Sequence, residues 1–106
     1  MKVGVIISSN DAETVWNAFR FANFAIDKKD DVSIFLIGKG VEYKNISNEQ
    51  FNIIEQAEKL LSSGGKIFAC GTCLKQRHSE GSNLCPVSTM KDMYRIVAES
   101  DKILTF

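Results

Sequence analysis

Short apolar runs alternate with amphipathic helical patterns along this chain, and that alternation restricts the fold more than any other feature. The four runs lie at residues 3–7, 32–37, 67–70 and 103–106. Mostly apolar runs of this length predict strands that are covered on both faces, as in a parallel sheet. Because parallel strands need a crossover between them, the helical patterns predict helices that join one strand to the next.

Each of the three helical patterns begins with a polar residue that is suited to cap a first turn. Asn10 with Glu13, and Ser47 with Gln50, have the spacing of a capping box, and Ser88 is placed to cap the last helix. Apolar positions at helical spacing follow these starts: Val15, Ala18, Phe19, Ala22, Ala25 and Ile26; then Ile53, Ile54, Ala57, Leu60 and Leu61; then Met90, Met93, Tyr94 and Val97.

The order of strands and helices predicts one domain over residues 1–106, because it continues without a linker, a repeat or a low-complexity tract. The predicted architecture is a three-layer α/β sandwich of flavodoxin-like type with a mainly parallel sheet of four or five strands. Gly64 and Gly65 are expected to end the second helix. Residues 84–87 supply the optional fifth strand, which Pro86 keeps short or at an edge.

Composition narrows the classes of function. Lys and Arg number 13, as do Asp and Glu, so no net charge draws the chain to nucleic acid or to an anionic membrane. Residues 1–8 turn polar too soon for a signal peptide, and no apolar stretch is long enough to span a bilayer, which together predict a cytoplasmic protein. Three cysteines without a secretion signal point to metal, redox or catalytic use rather than a disulfide scaffold.

The third apolar run ends in Cys70, and Gly71, Thr72 and Cys73 follow in a segment that is compatible with a helix. Cys70 is therefore expected at the carboxyl end of a strand and beside a helix N-terminus. Backbone N–H groups and the helix dipole lower a thiol pKa in that position, and the thiolate is the reactive form. The alternative is a buried structural thiol, since free cysteine packs as a small hydrophobic residue.

The loops that follow the first three strands are expected to meet at one edge of the sheet, close to Cys70. They contain Ser8, Ser9 and Asn10, then residues 38–40, then Gly71 and Thr72. These polar groups are candidates for binding an anion or substrate, although helix capping alone also explains residues 8–10. Neither a dinucleotide-binding glycine pattern nor a P-loop is present, so no cofactor is predicted.

A metal site is the rival interpretation of the cysteines. Cys70, Cys73, His78 and Cys85 have a spacing that superficially resembles a zinc knuckle with a stretched last gap. Structural zinc usually stabilises chains with little core, whereas residues 67–69 already lead into Cys70 as a buried strand. The sequence therefore predicts no bound metal, with a zinc-stabilised interaction domain as the alternative.

Two interpretations are open for the role of each of four further side chains. Lys75 and Arg77 either hold a thiolate or persulfide electrostatically or are solvated helix residues. His78 is expected to be a solvated residue at a helix end, with a general base as the alternative. Trp16 lies off the regular apolar face of its helix and indicates either a subunit contact or ordinary packing.

With this motif placed on this topology, the chain resembles the DsrE-like family (DsrE/DsrF-like, YchN-like), small α/β proteins of intracellular sulfur transfer. The resemblance rests on residues 3–10 (VGVIISSN), 35–41 (FLIGKGV), 69–75 (ACGTCLK), 88–92 (STMKD) and 101–106 (DKILTF). It implies a homo-oligomer, often a trimer or a hexamer, and a sulfur-carrying thiol after the third strand, which is Cys70 here. Carriers of the family often use one cysteine at this turn, so Cys73 is a departure.

The resulting hypothesis is a persulfide carrier in which Cys70 accepts sulfur from a donor protein and hands it to an acceptor protein. Cys73 could resolve the persulfide by forming a disulfide and releasing sulfide. A regulatory module that binds a small molecule or a protein without catalysis is the alternative of a different class. Whether the protein is an enzyme is left open by the sequence.

Overall fold

Five strands form a single parallel sheet in the order β4-β3-β2-β1-β5. The coordinates are a computed structural model that describes residues 1–78 and 87–106. The strands are β1 (Lys2–Ile7), β2 (Asp31–Leu36), β3 (Lys66–Cys70), β4 (Val87–Ser88) and β5 (Lys102–Thr105). All four pairings between neighbouring strands are parallel, so the predicted α/β class and parallel sheet are confirmed.

Five α-helices and one 3₁₀ turn connect these strands in the described part of the chain. The helices are α1 (Ala12–Asp27), α2 (Tyr43–Ile46), α3 (Ile53–Ser62), α4 (Gly71–Gln76) and α5 (Met90–Glu99), and the 3₁₀ turn is Gly38–Glu42. No helix within residues 1–78 and 87–106 is long and apolar enough to cross a membrane.

The four apolar runs are strands whose bounds lie within one residue of the prediction. Part of the expected fifth strand is also present, because Val87 and Ser88 pair with β3 as an edge strand. The remainder of that prediction, residues 84–86, lies outside the described residues.

One face of the sheet forms the main core with α1 and α3. Val5, Ile34 and Ile67 occupy the same register across β1, β2 and β3, and each is at most 2% exposed. Phe19 from α1 and Leu60 from α3 belong to the same buried cluster and are fully buried. Because side chains alternate between the faces of a strand, the residues in between point to the opposite face.

The helix starts differ from the predicted caps in each case. Asp11, not Asn10, caps α1, because its carboxylate accepts both the backbone N–H and the hydroxyl of Thr14, at 3.0 and 2.8 Å. Asn10 instead donates its side-chain amide to Glu42 at 3.4 Å. An ionised carboxylate accepts charge-assisted hydrogen bonds that a neutral amide does not, which favours the start at Asp11.

The starts of α3 and α5 are corrected in the same way. Asn52 caps α3 by accepting the N–H of Glu55 at 3.1 Å, whereas the Ser47 hydroxyl accepts the N–H of Ile54 from the preceding turn. Thr89 forms a capping box with Asp92 at the start of α5, because Ser88 is already paired in β4. The predicted end of α3 is confirmed: the helix ends at Ser62, and Gly64 follows with a φ of +95°.

Helix α5 packs on the second face of the sheet, where Gly4 permits a close approach. A Cβ at Gly4 would lie 2.9 Å from Ile96 Cγ2 and 2.6 Å from Ile103 Cδ1. Ile96 is the buried residue of α5, and Met93 is packed against the core. The prediction of one apolar face that packs on the sheet is therefore wrong in part: of its four residues, only Met93 contacts the core. Its other three residues are exposed: Met90, Tyr94 and Val97.

Trp16 is packed against its own chain. Its ring centroid lies 5.4 Å from that of Phe51, and the guanidinium of Arg20 lies 4.4 Å from the centre of the Trp16 ring. These contacts favour ordinary packing over the subunit contact considered for this residue.

Candidate functional site

The loops after β1 and β2 pack directly on one another at the carboxyl edge of the sheet. The N–H of Ile37 donates to the carbonyl of Ile7 at 3.0 Å. A Cβ on Gly40 would lie only 2.1 Å from that same carbonyl oxygen, so this position requires glycine. These contacts confirm that the loops after β1 and β2 meet at this edge, as predicted.

Cys70 is the last residue of β3 and the N-cap of α4, as the sequence indicates. It is 3% exposed. The backbone N–H groups of Cys73 and Thr72 face its sulfur and favour the thiolate, but burial has the larger effect and raises the pKa of the Cys70 thiol. The prediction of a lowered pKa is therefore wrong, because desolvation at this depth outweighs the N–H groups of a six-residue helix.

Cys73 lies one turn along α4 and connects that helix to the turn after β2. Its sulfur accepts the backbone N–H of Gly38 at 3.1 Å. The Cys73 side chain is close enough to Cys70 to contribute to its raised pKa, and both cysteines are free thiols. The two sulfur atoms are therefore neighbours with different surroundings, one in the core and one half-buried against Gly38.

Gly71 permits β4 to close on the turn that follows Cys70. A Cβ on Gly71 would lie 2.8 Å from Val87 Cγ1 and 3.3 Å from the carbonyl oxygen of Ser88. This close approach explains why the residue after the strand-end thiol is a glycine.

A cavity of about 380 Å³ opens beside Cys70. One wall consists of Cys70, Gly71, Thr72 and Lys75, from the turn and helix after β3. The other wall consists of Val87, Ser88, Thr89 and Met90, from β4 and the start of α5. Cys70 thus lines this cavity although it is only 3% exposed, while Cys73 contacts Gly38 on another side of α4.

The candidate anion-binding residues separate into two groups. Gly71 and Thr72 line the cavity with Cys70. Ser8 donates its N–H and its hydroxyl to the carbonyl of Phe106 at 2.8 and 3.3 Å, and the Ser9 hydroxyl accepts the N–H of Asp11 at 2.9 Å. Anion binding by either group stays a prediction, and the bonds of the first loop favour a local structural role for Ser8 and Ser9.

Asn10, Glu42 and Arg77 link the three loops by hydrogen bonds. Arg77 pairs with Glu42 at 2.7 Å, donates to the carbonyl of Cys73 at 3.2 Å, and Glu42 accepts from Asn10. The hydrogen bond from Arg77, reinforced by that from Asn10, holds the pKa of Glu42 below its ordinary value. The guanidinium of Arg77 thus bonds to Glu42 and to the carbonyl of Cys73, whereas Lys75 lines the cavity.

Comparison with known proteins decides the family. The model of the DsrE/DsrF-like family matches residues 1–106. This chain belongs to the DsrE/DsrF-like family. Its relatives include an uncharacterized protein of Methanocaldococcus jannaschii, 32% identical with 100% of both chains covered. Another is an uncharacterized protein of Methanopyrus kandleri, 32% identical over 89% of this chain and 83% of that protein.

Solved structures show the same fold as this DsrE/DsrF-like protein. YchN of E. coli superposes with a TM-score of 0.84 over 100% of both chains at 22% identity. A conserved protein of unknown function from Bacteroides thetaiotaomicron superposes with a TM-score of 0.77 at 20% identity, over 99% of this chain and 94% of its own. At these identities the likeness extends to the fold alone.

The zinc interpretation is not tested by the described residues, since Cys85 lies outside them. Within residues 1–78 and 87–106, no three His, Cys, Asp or Glu side chains are grouped as metal ligands. His78 is exposed at the end of α4, with a left-handed φ of 52° and its N–H donated to the carbonyl of Lys75. That placement agrees with a solvated residue.

The sequence reasoning missed the second wall of the cavity and the partner of Cys73. The residue pattern predicts only a helical position for Met90 and no site role for Thr89, whereas the pairing of β4 with β3 brings both residues beside Cys70. The N–H of Gly38 leaves no trace in the residue pattern, because a backbone donor is present at every non-proline position.

Proposed function

We propose that this DsrE/DsrF-like protein is a small cytoplasmic sulfur-relay protein that carries sulfane sulfur as a persulfide on Cys70. Membership of the family implies kinship with sulfur-relay proteins. The single observation that supports the role of Cys70 is its position at the end of β3, with two backbone N–H groups on its sulfur and a cavity beside it. Free thiols of this kind persist in a reducing compartment such as the cytoplasm.

The proposed loading step exchanges one sulfur–sulfur bond for another. The sulfur of Cys70 attacks the outer sulfur of a donor persulfide, the bond between the two donor sulfurs breaks, and the donor leaves as a thiolate. That thiolate takes up the proton which Cys70 loses, so Cys70 becomes a persulfide and the donor a thiol. The N–H groups of Thr72 and Cys73 stabilise the negative charge on the Cys70 sulfur as the proton departs.

The Cys70 persulfide can also react with Cys73. The Cys73 sulfur, which neighbours that of Cys70, attacks the inner sulfur of the persulfide and releases hydrosulfide. The product is a Cys70–Cys73 disulfide, which a cellular dithiol reduces to restore both thiols. Without that attack, an acceptor protein removes the outer sulfur by the reverse of the loading step.

Donor and acceptor proteins, and further copies of the chain, are the proposed partners. An exposed apolar surface borders the Cys70 cavity and consists of Val87, Met90, Tyr94 and Val97. Tyr94 is 75% exposed, which is unusual for a large apolar ring and is typical of interface residues. We propose that the part of this surface away from the cavity, at Tyr94 and Val97, is covered in a homo-oligomer, a trimer or a hexamer.

The test compares cysteine variants by intact mass after exposure to a persulfide donor. Wild type and Cys85→Ser are expected to gain the mass of one sulfur atom that reductant removes, except in molecules that have gone on to the Cys70–Cys73 disulfide, whereas Cys70→Ser loses most of this loading. Circular dichroism and melting of each variant show whether it folds. Unchanged loading in folded Cys70→Ser would move the chemistry away from Cys70.

One observation favours a second candidate, a binding module without catalysis. Cys70 is 3% exposed and burial raises its pKa, so little thiolate is present at neutral pH. In that case, the cavity binds a ligand and Cys70 only lines it. Absence of loading in the folded wild-type protein would favour this candidate.

A further inference from the structure

The cavity beside Cys70 has the size and the lining of a small-molecule site. Its volume of about 380 Å³ falls within the range of pockets that enclose small ligands. Val87 and Met90 provide an apolar side, and Thr72 and Thr89 provide hydroxyl groups near the turn. Such a lining suits a short carbon chain with one polar end.

The described lining of the cavity carries a positive charge, which comes from Lys75. Of the described residues that line it, Lys75 is the one with a charged group. The neighbouring cation Arg77 is paired with Glu42, and the nearby carboxylate of Asp92 is paired with Arg95 and bonded to the N–H of Thr89. Among the described residues, an anionic group in the cavity would therefore meet the Lys75 ammonium and no lining carboxylate.

We infer that, besides a donor protein, this site accepts sulfur from a low-molecular-weight persulfide with a carboxylate, recognised by Lys75. The inference rests on the proposed function and names its substrate class. The carboxylate binds the Lys75 ammonium, the carbon chain contacts Val87 and Met90, and the outer sulfur reaches Cys70. The bond between the two donor sulfurs breaks as the new bond to Cys70 forms, and the small thiol leaves with the Cys70 proton.

Two alkylating agents of equal size test the recognition of charge without any sulfur transfer. Iodoacetate carries the carboxylate, and iodoacetamide is its neutral counterpart. In a Cys73→Ser, Cys85→Ser protein, Cys70 is the sole cysteine, so intact mass reports its rate with each agent. The measured quantity is the ratio of the alkylation rate with iodoacetate to that with iodoacetamide. We expect this ratio to be about fivefold higher in the folded protein than in denaturant, which corresponds to about 1 kcal/mol for opposite charges in water.

Lys75→Gln is expected to abolish that preference, and Lys75→Arg to restore most of it. Lys59→Gln, an exposed lysine on α3, is the matched control and should leave it unchanged. Added salt should weaken the preference in the wild-type background, because the Lys75 ammonium is exposed to solvent. An equal preference in Lys75→Gln and in the control would overturn the role of Lys75.

The persulfides of 3-mercaptopropionate and 3-mercaptopropionamide then test the donor itself. They have the same number of non-hydrogen atoms and differ by the carboxylate. Wild type is expected to load several-fold faster from the carboxylate donor, and Lys75→Gln at similar rates from both. Equal loading of wild type by the two donors would overturn the anionic donor and leave sulfur carriage on Cys70 intact. No loading by either donor would overturn the small-molecule donor, while loading from a protein persulfide decides sulfur carriage on Cys70 separately.

Discussion

Replacement of Gly40 by alanine is expected to destabilise the protein far more than the same replacement at Gly38, two residues earlier in the same turn. At Gly40 the added Cβ would lie 2.1 Å from the carbonyl oxygen of Ile7, whereas ordinary contacts begin at 3.4 Å. The turn and β1 must therefore separate by about 1.3 Å, the difference between those distances. Ile7 belongs to the strand between β2 and β5, so its backbone has little freedom to move.

The cost of Gly40→Ala follows from what that separation breaks. The hydrogen bonds from Ile37 to Ile7 and from Gly40 to Ile37, both 3.0 Å, are lost or stretched, at about 1 kcal/mol each. Overpacking adds about 1–3 kcal/mol, for a total of about 3–5 kcal/mol. Gly38 has a φ of +57° and nothing within 4 Å of its would-be Cβ, so Gly38→Ala costs only the backbone strain of about 1–2 kcal/mol.

Urea denaturation of the two variants and wild type measures this difference directly. A midpoint shift with an unchanged slope reports the free energy of unfolding. Free energies of unfolding for Gly40→Ala and Gly38→Ala that agree within about 1 kcal/mol would refute the close contact between the turn and β1, on which the position of the Gly38 N–H beside Cys73 depends.

Three further predictions concern the thiols and the exposed surface. Cys73→Ala is expected to lose about 1 kcal/mol more stability than Cys73→Ser, because serine keeps an acceptor for the Gly38 N–H; equal urea midpoints would contradict that hydrogen bond. Burial raises the pKa of Cys70, so its alkylation by iodoacetamide should titrate above the ordinary thiol value of ~8.5 and return to it in denaturant. The Cys70 thiol then loses its proton at a lower pH in the unfolded protein than in the folded protein, so the free energy of unfolding should fall as pH rises above ~8.5. A folded Cys70 that titrates at the ordinary thiol value would refute the effect of burial. Tyr94→Glu should dissociate the oligomer in light scattering, with Phe24→Glu on α1 as the exposed aromatic control, and a monomeric wild type would reject assembly.

The first three strands were predictable because their apolar runs are mostly buried on both faces, so composition alone reports their environment, whereas β5 at the edge is largely exposed. Residues 32–37 show this, since β2 lies between two other strands and its register partners are equally apolar. The helix starts were less predictable. Asn10, Asp11 and Thr14 offer several local bonding patterns, and the contact of Asn10 with Glu42 joins residues 32 positions apart. Long-range partners of that kind leave no signal in local spacing.

The site was predictable in position and less so in electrostatics. The run that ends in Cys70 locates the thiol at a strand end, and Gly71 indicates a close approach that β4 provides. The depth of Cys70 depends on the packing of α4 and β4 around it, which the local sequence does not encode. The prediction of a lowered pKa considered the N–H groups of the helix and omitted desolvation, which is the larger effect here.

The most direct test of sulfur carriage locates the outer sulfur in the wild-type protein. After exposure to a persulfide donor and capping with iodoacetamide, tryptic cleavage after Lys66 and Lys75 releases residues 67–75, which contain both Cys70 and Cys73. Fragment masses of that peptide assign the extra sulfur to one residue. We expect it on Cys70, together with a Cys70–Cys73 disulfide in molecules that have released hydrosulfide. Extra sulfur on Cys73 alone, or on neither residue, would contradict a Cys70 persulfide as the carrier.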